Sequence, residues 1–497
     1  MPPIRLERLS FAYRDSAPIL SDVDLHLAEG WTALVGENGA GKTTLLRLLA
    51  GLLEPDAGRV KLWSGARVVL CQQTVERTDE GVAALAAADD ADAHRLRGLL
   101  RLAPRELARW ATLSPGERKR WQLGAALHSR PDVLLVDEPT NHVDEEAREL
   151  LGAALARFQG VGVLVSHDRA LLEALTPRTA RLEGGKVEVY PCSYGEARAA
   201  WEAETAAAWE ARTAAQAERR RLERRLADAR RARETADRSR SNRGRDRHDS
   251  DSRTLGAKNL RSWAEDRLGR QVGILRRAAA RATEAIPEVP VEKDLGRSVF
   301  LGYERAPRPV LLALAAVEVA PSPGAPPVLR NVNVQLRRDD RVWIRGPNGA
   351  GKTTLVSALL ARATLPPGRL LHLPQELPPG AGPGLLQELR ASPAEERGRV
   401  LSLVAALGSD PARLVASADP SPGEARKLCL ALGMGRHAWA LVLDEPTNHL
   451  DLPTVERLEQ ALVAYPGAVL LVTHDPAFAG RCTSRTWRLQ GGRVETE

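Results

Sequence analysis

The sequence predicts an α/β protein in which one parallel-sheet domain occurs twice in tandem, the two copies being joined by a long α-helical hairpin. Three observations predict it. The 497 residues repeat on themselves at a period of about 310. Each copy carries a glycine-rich loop between an apolar strand and a Leu-rich helix. Between the copies, Glu196 to Arg238 contains neither Pro nor Gly and is dominated by Ala, Glu and Arg, a strongly helical composition. At ~100–200 residues per domain, a chain this long is expected to hold two to four domains. A repeat far longer than ~20–50 residues marks a duplicated domain and not a solenoid. The repeat divides the chain into a first copy at 1–193, a linker at 194–296 with its tip at about 239–256, and a second copy at 297–497.

Composition narrows the class. Hydrophobic residues make up 43% and charged residues 27%, the balance of a globular protein. The most apolar run, Leu311–Val317, is strand-length and falls well short of the ~20 residues that span a bilayer. The N-terminal MPPIRLERLSF has charges where a secretory leader needs its apolar stretch, so a cytoplasmic location is expected. Cys71, Cys192, Cys429 and Cys482 form no CxxC pair, which argues against a disulfide scaffold or zinc ribbon and fits a reducing compartment.

In the first copy, GENGAGKTTLLRLL (Gly36–Leu49) follows WTALV and would open a helix. Glycines permit the tight turn, and the loop amides with the helix N-terminus cradle an anion. Gly36, Asn38, Gly39, Gly41, Lys42, Thr43 and Thr44 are the expected phosphate-binding set, with Lys42 reaching the β/γ-phosphates and Thr43 a Mg²⁺. VLLVDE (Val133–Glu138) reads as a buried parallel strand, apolar until the acids at its C-terminal end, where open α/β sheets place ligands. Asp137 fits a Mg²⁺ ligand and Glu138 a base for the attacking water. His167, 30 residues after Asp137 and again following an apolar strand, should reach the same edge.

The linker holds most of the basicity. Arg219–Arg247 has 13 Arg against five acids, +8 in 29 residues, while the whole chain is +7. A near-neutral body with one cationic segment points to phosphate backbone as a partner. SRSNRGRDRHDSDSR reads as the hairpin tip, and Leu260, Trp263, Val272 and Leu275 supply a sparse apolar stripe for a returning helix that ends near Pro287.

The second copy repeats the pattern. GPNGAGKTTLVSAL follows VWI and supplies Gly346, Asn348, Gly349, Gly351, Lys352, Thr353 and Thr354. ALVLDE supplies Asp444 and Glu445, and LVTHD supplies His474, again 30 residues after its Asp.

These motifs, with LSPGE at Leu113–Glu117, PSPGE at Pro420–Glu424 and DEPTNH[VL]D in both copies, resemble the ATP-binding cassette. Two cassettes in one chain with a charged linker resemble the ABC-F group. The resemblance implies a cytosolic ATPase that binds the ribosome near the tRNA exit site, its hairpin reaching toward the P-site tRNA. It implies ATP and Mg²⁺ as ligands, Gln72 (or its neighbour Gln73) and Gln375 as residues touching Mg²⁺ and water, and Tyr13 as an adenine platform. Cassettes of this kind pair head to tail, so Ser421 and Gly423 would complete the first site, and Ser114 and Gly116 the second. Such pairing within one chain implies a monomer. Pro420 replaces the usual Leu, and Ala313–Leu329 offers no aromatic for the second adenine. The Gln-to-signature spacings leave no room for an arm insertion, and the chain is expected to carry no C-terminal extension. The alternative reading is the ATPase subunit of an exporter with a separate permease; the basic linker argues against it.

Overall fold

A computed structural model describes residues 3–14, 17–141, 143, 145–238, 255–286, 300–322, 324–448 and 450–497; side chains 236–238, 255–266 and 268 are not described. The chain divides into two compact units, one made of 1–197 with 292–497 and the other of 198–291.

In the first unit the two copies build the same layers. The first has a six-stranded sheet in the order Val68–Cys71, Val133–Asp137, Val161–Val165, Gly30–Val35, Arg178–Glu183, Lys186–Tyr190. All neighbours are parallel except the last pair, a hairpin turned by Gly184 and Gly185 at φ 56° and 77°. The second copy repeats the order with Leu370–Leu373, Ala440–Asp444, Ala468–Val472, Arg341–Arg345, Arg485–Gln490 and Arg493–Thr496, turned by Gly491 and Gly492. Helices cover both faces of a sheet of this kind, so its central strands are apolar up to their terminal Asp: Val133–Asp137 and Ala440–Asp444 are buried throughout. Smaller antiparallel sheets flank each copy, Leu20–Leu27, Ile4–Phe11 and Ala57–Lys61 in the first, Val310–Val319 with Leu329–Arg337 in the second. Leu311–Val317 is thus strand, as its length predicts.

Packing is close where glycine meets an aromatic ring. Trp31 is buried on its strand, and a Cβ at neighbouring Gly162 would lie 2.4 Å from its ring. Trp31 also packs on Phe158 at 5.4 Å between ring centroids.

The second unit is helical. One helix, Tyr194–Arg238, runs for 45 residues, about 68 Å at 1.5 Å per residue, and begins four residues before the unit does. Leu255–Glu284 is the other. Burial recurs at helical spacing, Leu275 and Ala279 four apart, with Val272 partly covered and Ala229 buried on the long helix. Arg220, Arg221, Arg224, Arg225, Arg230, Arg231 and Arg233 are exposed. Arg198–Glu202 (2.7 Å) and Arg219–Glu223 (3.4 Å) are i,i+4 pairs, each worth only a few tenths of a kcal/mol. Of the expected tip at about 239–256, residues 239–254 lie outside the described residues, as do the side chains of Leu260 and Trp263 and the segment 287–299, while residues 255–256 already belong to the second helix.

Two glycine substitutions should act in opposite directions. Gly162→Val overpacks the Trp31 contact and is expected to destabilise by about 1–3 kcal/mol. Gly98→Ala, in the helix Ala91–Leu100 with nothing within 4 Å of the added carbon, is expected to stabilise by about 0.4–1 kcal/mol. Denaturant unfolding of both variants checks the pair.

Candidate functional site

The two loops that follow Gly30–Val35 and Arg341–Arg345 are built alike. Gly41 and Gly351 sit at φ 105° and 93°, and a Cβ at Gly41 would fall 2.4 Å from Ile19, so the turn needs glycine there. Lys42 folds back over its loop and donates to the carbonyls of Gly36 (2.7 Å) and Glu37 (3.0 Å); Lys352 does the same to Gly346 (2.7 Å) and Pro347 (3.4 Å). Lys42 is only 8% exposed. Burial lowers its pKa, and the nearby Glu138, Asp451, Asp137 and Glu37 oppose that effect. An ammonium held by loop carbonyls at the mouth of a helix N-terminus is placed to move onto an incoming anion.

Thr43 Oγ1 donates to Asp137 Oδ2 at 2.8 Å, and Thr353 to Asp444 at 2.9 Å. Burial raises both aspartates, and each threonine hydroxyl works against it. A hydroxyl and a carboxylate meeting at the strand edge suit a hard, oxygen-seeking cation that takes one or two protein ligands and fills the rest from phosphate and water. Among the described residues no cluster of three or more His, Cys, Asp or Glu could hold a metal by itself.

The next residue turns sharply. Glu138 and Glu445 occupy φ 47° and 46°, the left-handed region, which costs a non-glycine residue about 1–2 kcal/mol. Their amides donate to Val165 and Val472 carbonyls at 2.9 Å, which keeps each turn locked to the neighbouring strand. The carboxylates thereby meet the histidines. His167 Nε2 lies 3.0 Å from Glu138 Oε1 and the His167 amide donates to Oε2 at 3.2 Å; in the second copy the distances are 3.5 and 3.4 Å. Burial pushes Glu138 up, but His167 and Lys42 outweigh it and hold the carboxyl below its ordinary value. Burial and the adjacent Asp444 push Glu445 up to about 7. In that copy Lys352 Nζ approaches His474 Nε2 at 3.4 Å.

The two copies are in contact through these loops. The Asn38 amide, in the first phosphate loop, donates to Asp451 Oδ2 at 2.7 Å, and Asp451 also caps the helix Leu452–Ala464 through the Thr454 amide at 2.9 Å. Arg457, on that helix, lies 3.6 Å from Glu37. Lys427, in the helix capped by Ser421, feels both Asp451 and Glu37. On the other side Arg345 pairs with Glu145 at 2.8 Å. Between them lies a cavity of about 290 Å³, lined from both copies by His167, His474, Gln73, Gln375, Asn141 and Asn448.

Both SPGE motifs are capping boxes. Ser114 accepts from the Glu117 amide (3.2 Å) while Glu117 accepts from Ser114 (2.7 Å), and Ser421 with Glu424 repeats it. The proline after each serine occupies the first helical turn, where its fixed φ suits the helix. Each serine is exposed at its helix N-terminus; Gly116 is buried beside Val143 and Gly423 partly so. Pro420, at the place of Leu113, is buried against Gly382, whose missing side chain makes room for the ring.

Strand register relates the two adjacent glutamines to the second copy. Cys71 pairs with Val136 and Leu373 with the equivalent Leu443, so Gln73, not Gln72, stands where Gln375 does. The Gln72 carbonyl accepts from Lys119, as the carbonyl of Pro374, its register equivalent, accepts from Arg426 at 3.3 Å; Arg426 also reaches the Gln375 carbonyl at 2.8 Å. Tyr13 is 41% exposed beside the first loop, its hydroxyl 3.3 Å from Thr44 Oγ1. Phe11 and Val319 hold equivalent register positions, which puts Pro321 where Tyr13 stands. Asp451 was not singled out from the sequence, although the repeated TNH[VL]D carried the signal; Lys119 and Arg426, lone cations in unlike sequence, carried none.

Comparison with known proteins agrees with this geometry. A family model described as ABC transporter matches residues 20–141 and 329–448. The chain is 32% identical to the tylosin resistance ATP-binding protein TlrC of Streptomyces fradiae, covering 97% of this chain and 96% of that protein. The chain belongs to the ABC-F family. It is also 28% identical to the ribosome protection protein VmlR of Bacillus subtilis, over 99% of this chain and 88% of the relative. The fold is that of an archaeal ribosome recycling factor, aABCE1, solved with the ribosomal stalk protein aP1 (TM-score 0.60, 19% identity, 98% of this chain and 89% of that one). As an ABC-F protein the chain has two ATP-binding cassettes, and no helix among the described residues is long and apolar enough to cross a membrane.

Asp451→Ala removes a helix cap and the Asn38 contact together, an expected loss of about 1–2 kcal/mol at neutral pH. Burial raises Asp451, but the Thr454 hydrogen bonds and the Asn38 amide outweigh it, so its folded pKa lies below normal. The wild-type advantage should therefore be present above about pH 4 and shrink as pH falls through that lowered value. Urea unfolding of both proteins between pH 7 and 3 measures the gap.

Proposed function

We propose that the protein is a cytoplasmic ATP hydrolase that acts on the ribosome, coupling ATP binding and hydrolysis to translation control or to protection from antibiotics. The observation that carries the proposal is the Asn38–Asp451 contact, which sets the phosphate loop of one cassette against the other cassette, as composite ATP sites require. The names of its relatives, tylosin resistance and ribosome protection, support the target. The linker, 194–296 in the sequence, would reach toward the P-site tRNA, and pairing of cassettes within one chain makes the protein a monomer.

In this reading the amides of Gly36, Asn38, Gly39 and Gly41 with Lys42 and Thr44 hold the phosphates at the first site, and Gly346, Asn348, Gly349, Gly351, Lys352 and Thr354 at the second. Ser421 and Gly423 complete the first site from across the interface, Ser114 and Gly116 the second. Mg²⁺, when bound, neutralises phosphate charge; Thr43, Asp137 and Gln73, or Thr353, Asp444 and Gln375, would hold it. Glu138 and Glu445 accept the proton of the attacking water, whose oxygen forms the bond to the γ-phosphorus as the bond to the ADP oxygen breaks. His167 and His474 hold those carboxylates in place. Tyr13 would stack on the first adenine.

Glu138→Gln with Glu445→Gln should retain ATP and lose turnover by about 10²–10⁴-fold, measured as phosphate release. The variant should stay on ribosomes in a sucrose gradient with ATP; wild-type turnover would refute the assignment. Replacing Arg238, Arg240, Arg243, Arg245 and Arg247 by Ala should leave basal ATPase nearly unchanged. Ribosome affinity should fall, and its slope against log[salt] should flatten by about 0.7–0.9 per lost phosphate contact. A salt titration with wild-type affinity and slope would make the hairpin a spacer.

A further inference from the structure

We propose that Arg169, Glu456 and Glu459 form a latch across the cassette interface that positions the histidine loop of the first ATP site and is not repeated at the second. The inference rests on the reading of two composite ATP sites. Arg169 directly follows His167 and Asp168, and its side chain is 12% exposed. Its Nη1 donates to Glu459 Oε2 at 2.8 Å, and its Nε lies 3.6 Å from Glu456 Oε1. Glu459 is 2% exposed and also holds Arg481 of its own cassette at 2.7 Å. Glu456 accepts from the hydroxyl of buried Tyr194, the first residue of the long helix, at 2.7 Å.

Both glutamates lie on the helix Leu452–Ala464, whose cap Asp451 holds the Asn38 amide. One helix of the second cassette is therefore fastened to two loops of the first. The phosphate loop is held at its N-terminus, and the His167 loop about 12 Å further along, eight residues at 1.5 Å each. A rod with two fixings sets the spacing between Lys42 and His167, the groups that would meet the terminal phosphate. Buried charges make the fixing stiff, because leaving either partner alone in the interface is strongly unfavourable.

The second site is built differently. The repeat matches Asp168 with Asp475, so Pro476 stands where Arg169 does; equally, Gly152 stands where Glu459 does. Neither can form the pair. Arg169, Glu456 and Glu459 are thus positioning residues, and the two ATP sites close against unequal supports.

ATP affinity measured one site at a time tests this, with Lys352→Ala leaving the first site and Lys42→Ala the second. Arg169→Pro should keep its helix, because Pro476 occupies the same first position in the helix Pro476–Cys482. In the first-site protein, Arg169→Pro and Glu459→Gln should each weaken ATP about tenfold, and Arg169→Lys less. In the second-site protein they should change it by less than about twofold. Equal weakening at both sites, or none at the first, overturns the latch. A Lys42→Ala/Lys352→Ala protein that still binds ATP would instead overturn the reading of the ATP sites. The latch is then judged without nucleotide by a double-mutant cycle on thermal unfolding: coupled losses for Arg169→Gln and Glu459→Gln support it, and additive losses overturn it.

Discussion

In each cassette three parallel strands lie side by side, and their hydrogen-bonded register decides where the glycine-rich loop, the Asp-Glu pair and the histidine emerge. In the first, Val133–Asp137 pairs with Val161–Val165, which pairs with Gly30–Val35. All three end at one edge, so a phosphate loop, an Asp-Glu pair and a histidine from distant parts of the chain arrive within a few ångströms. Hydrogen bonds then fasten loop to strand, Thr43 to Asp137, and strand to strand, the Glu138 amide to Val165. The apolar burial that stabilises the sheet is thus also what places the polar groups. The left-handed turn at Glu138 and Glu445 is sustained because the strands on either side hold it there.

Duplication gave two such edges, and the interface has made them unequal. Lys42 is buried where Asp451 reaches the first loop, while Lys352 is only partly covered. His167 touches Glu138 at 3.0 Å, whereas His474 stands at 3.5 Å from Glu445 and approaches Lys352. Pro321 holds the repeat position of Tyr13, and Pro476 that of Arg169.

The sequence by itself determined the fold class and the duplication, and it named side chains that meet at each sheet edge, Thr43 with Asp137 and Glu138 with His167 in the first copy. Those readings rest on local rules: glycines where a tight turn must cradle an anion, unbroken apolar runs for strands covered on both faces, acids at a strand's end. Each rule is satisfied within a few residues, so it is legible without knowing the partner. The equal spacing of His167 and His474 behind their aspartates pointed to the side chains that meet Glu138 and Glu445. Tertiary structure alone decided what depends on register and on the other cassette. Pairing Cys71 with Val136, as Leu373 pairs with Leu443, makes Gln73 the counterpart of Gln375, a choice between adjacent residues that the spacing in the sequence left open. Asp451 on the Asn38 amide, and Arg169 between two glutamates, join residues hundreds apart whose charges look like ordinary solvated surface in the sequence. They acquire meaning only when the interface removes their water.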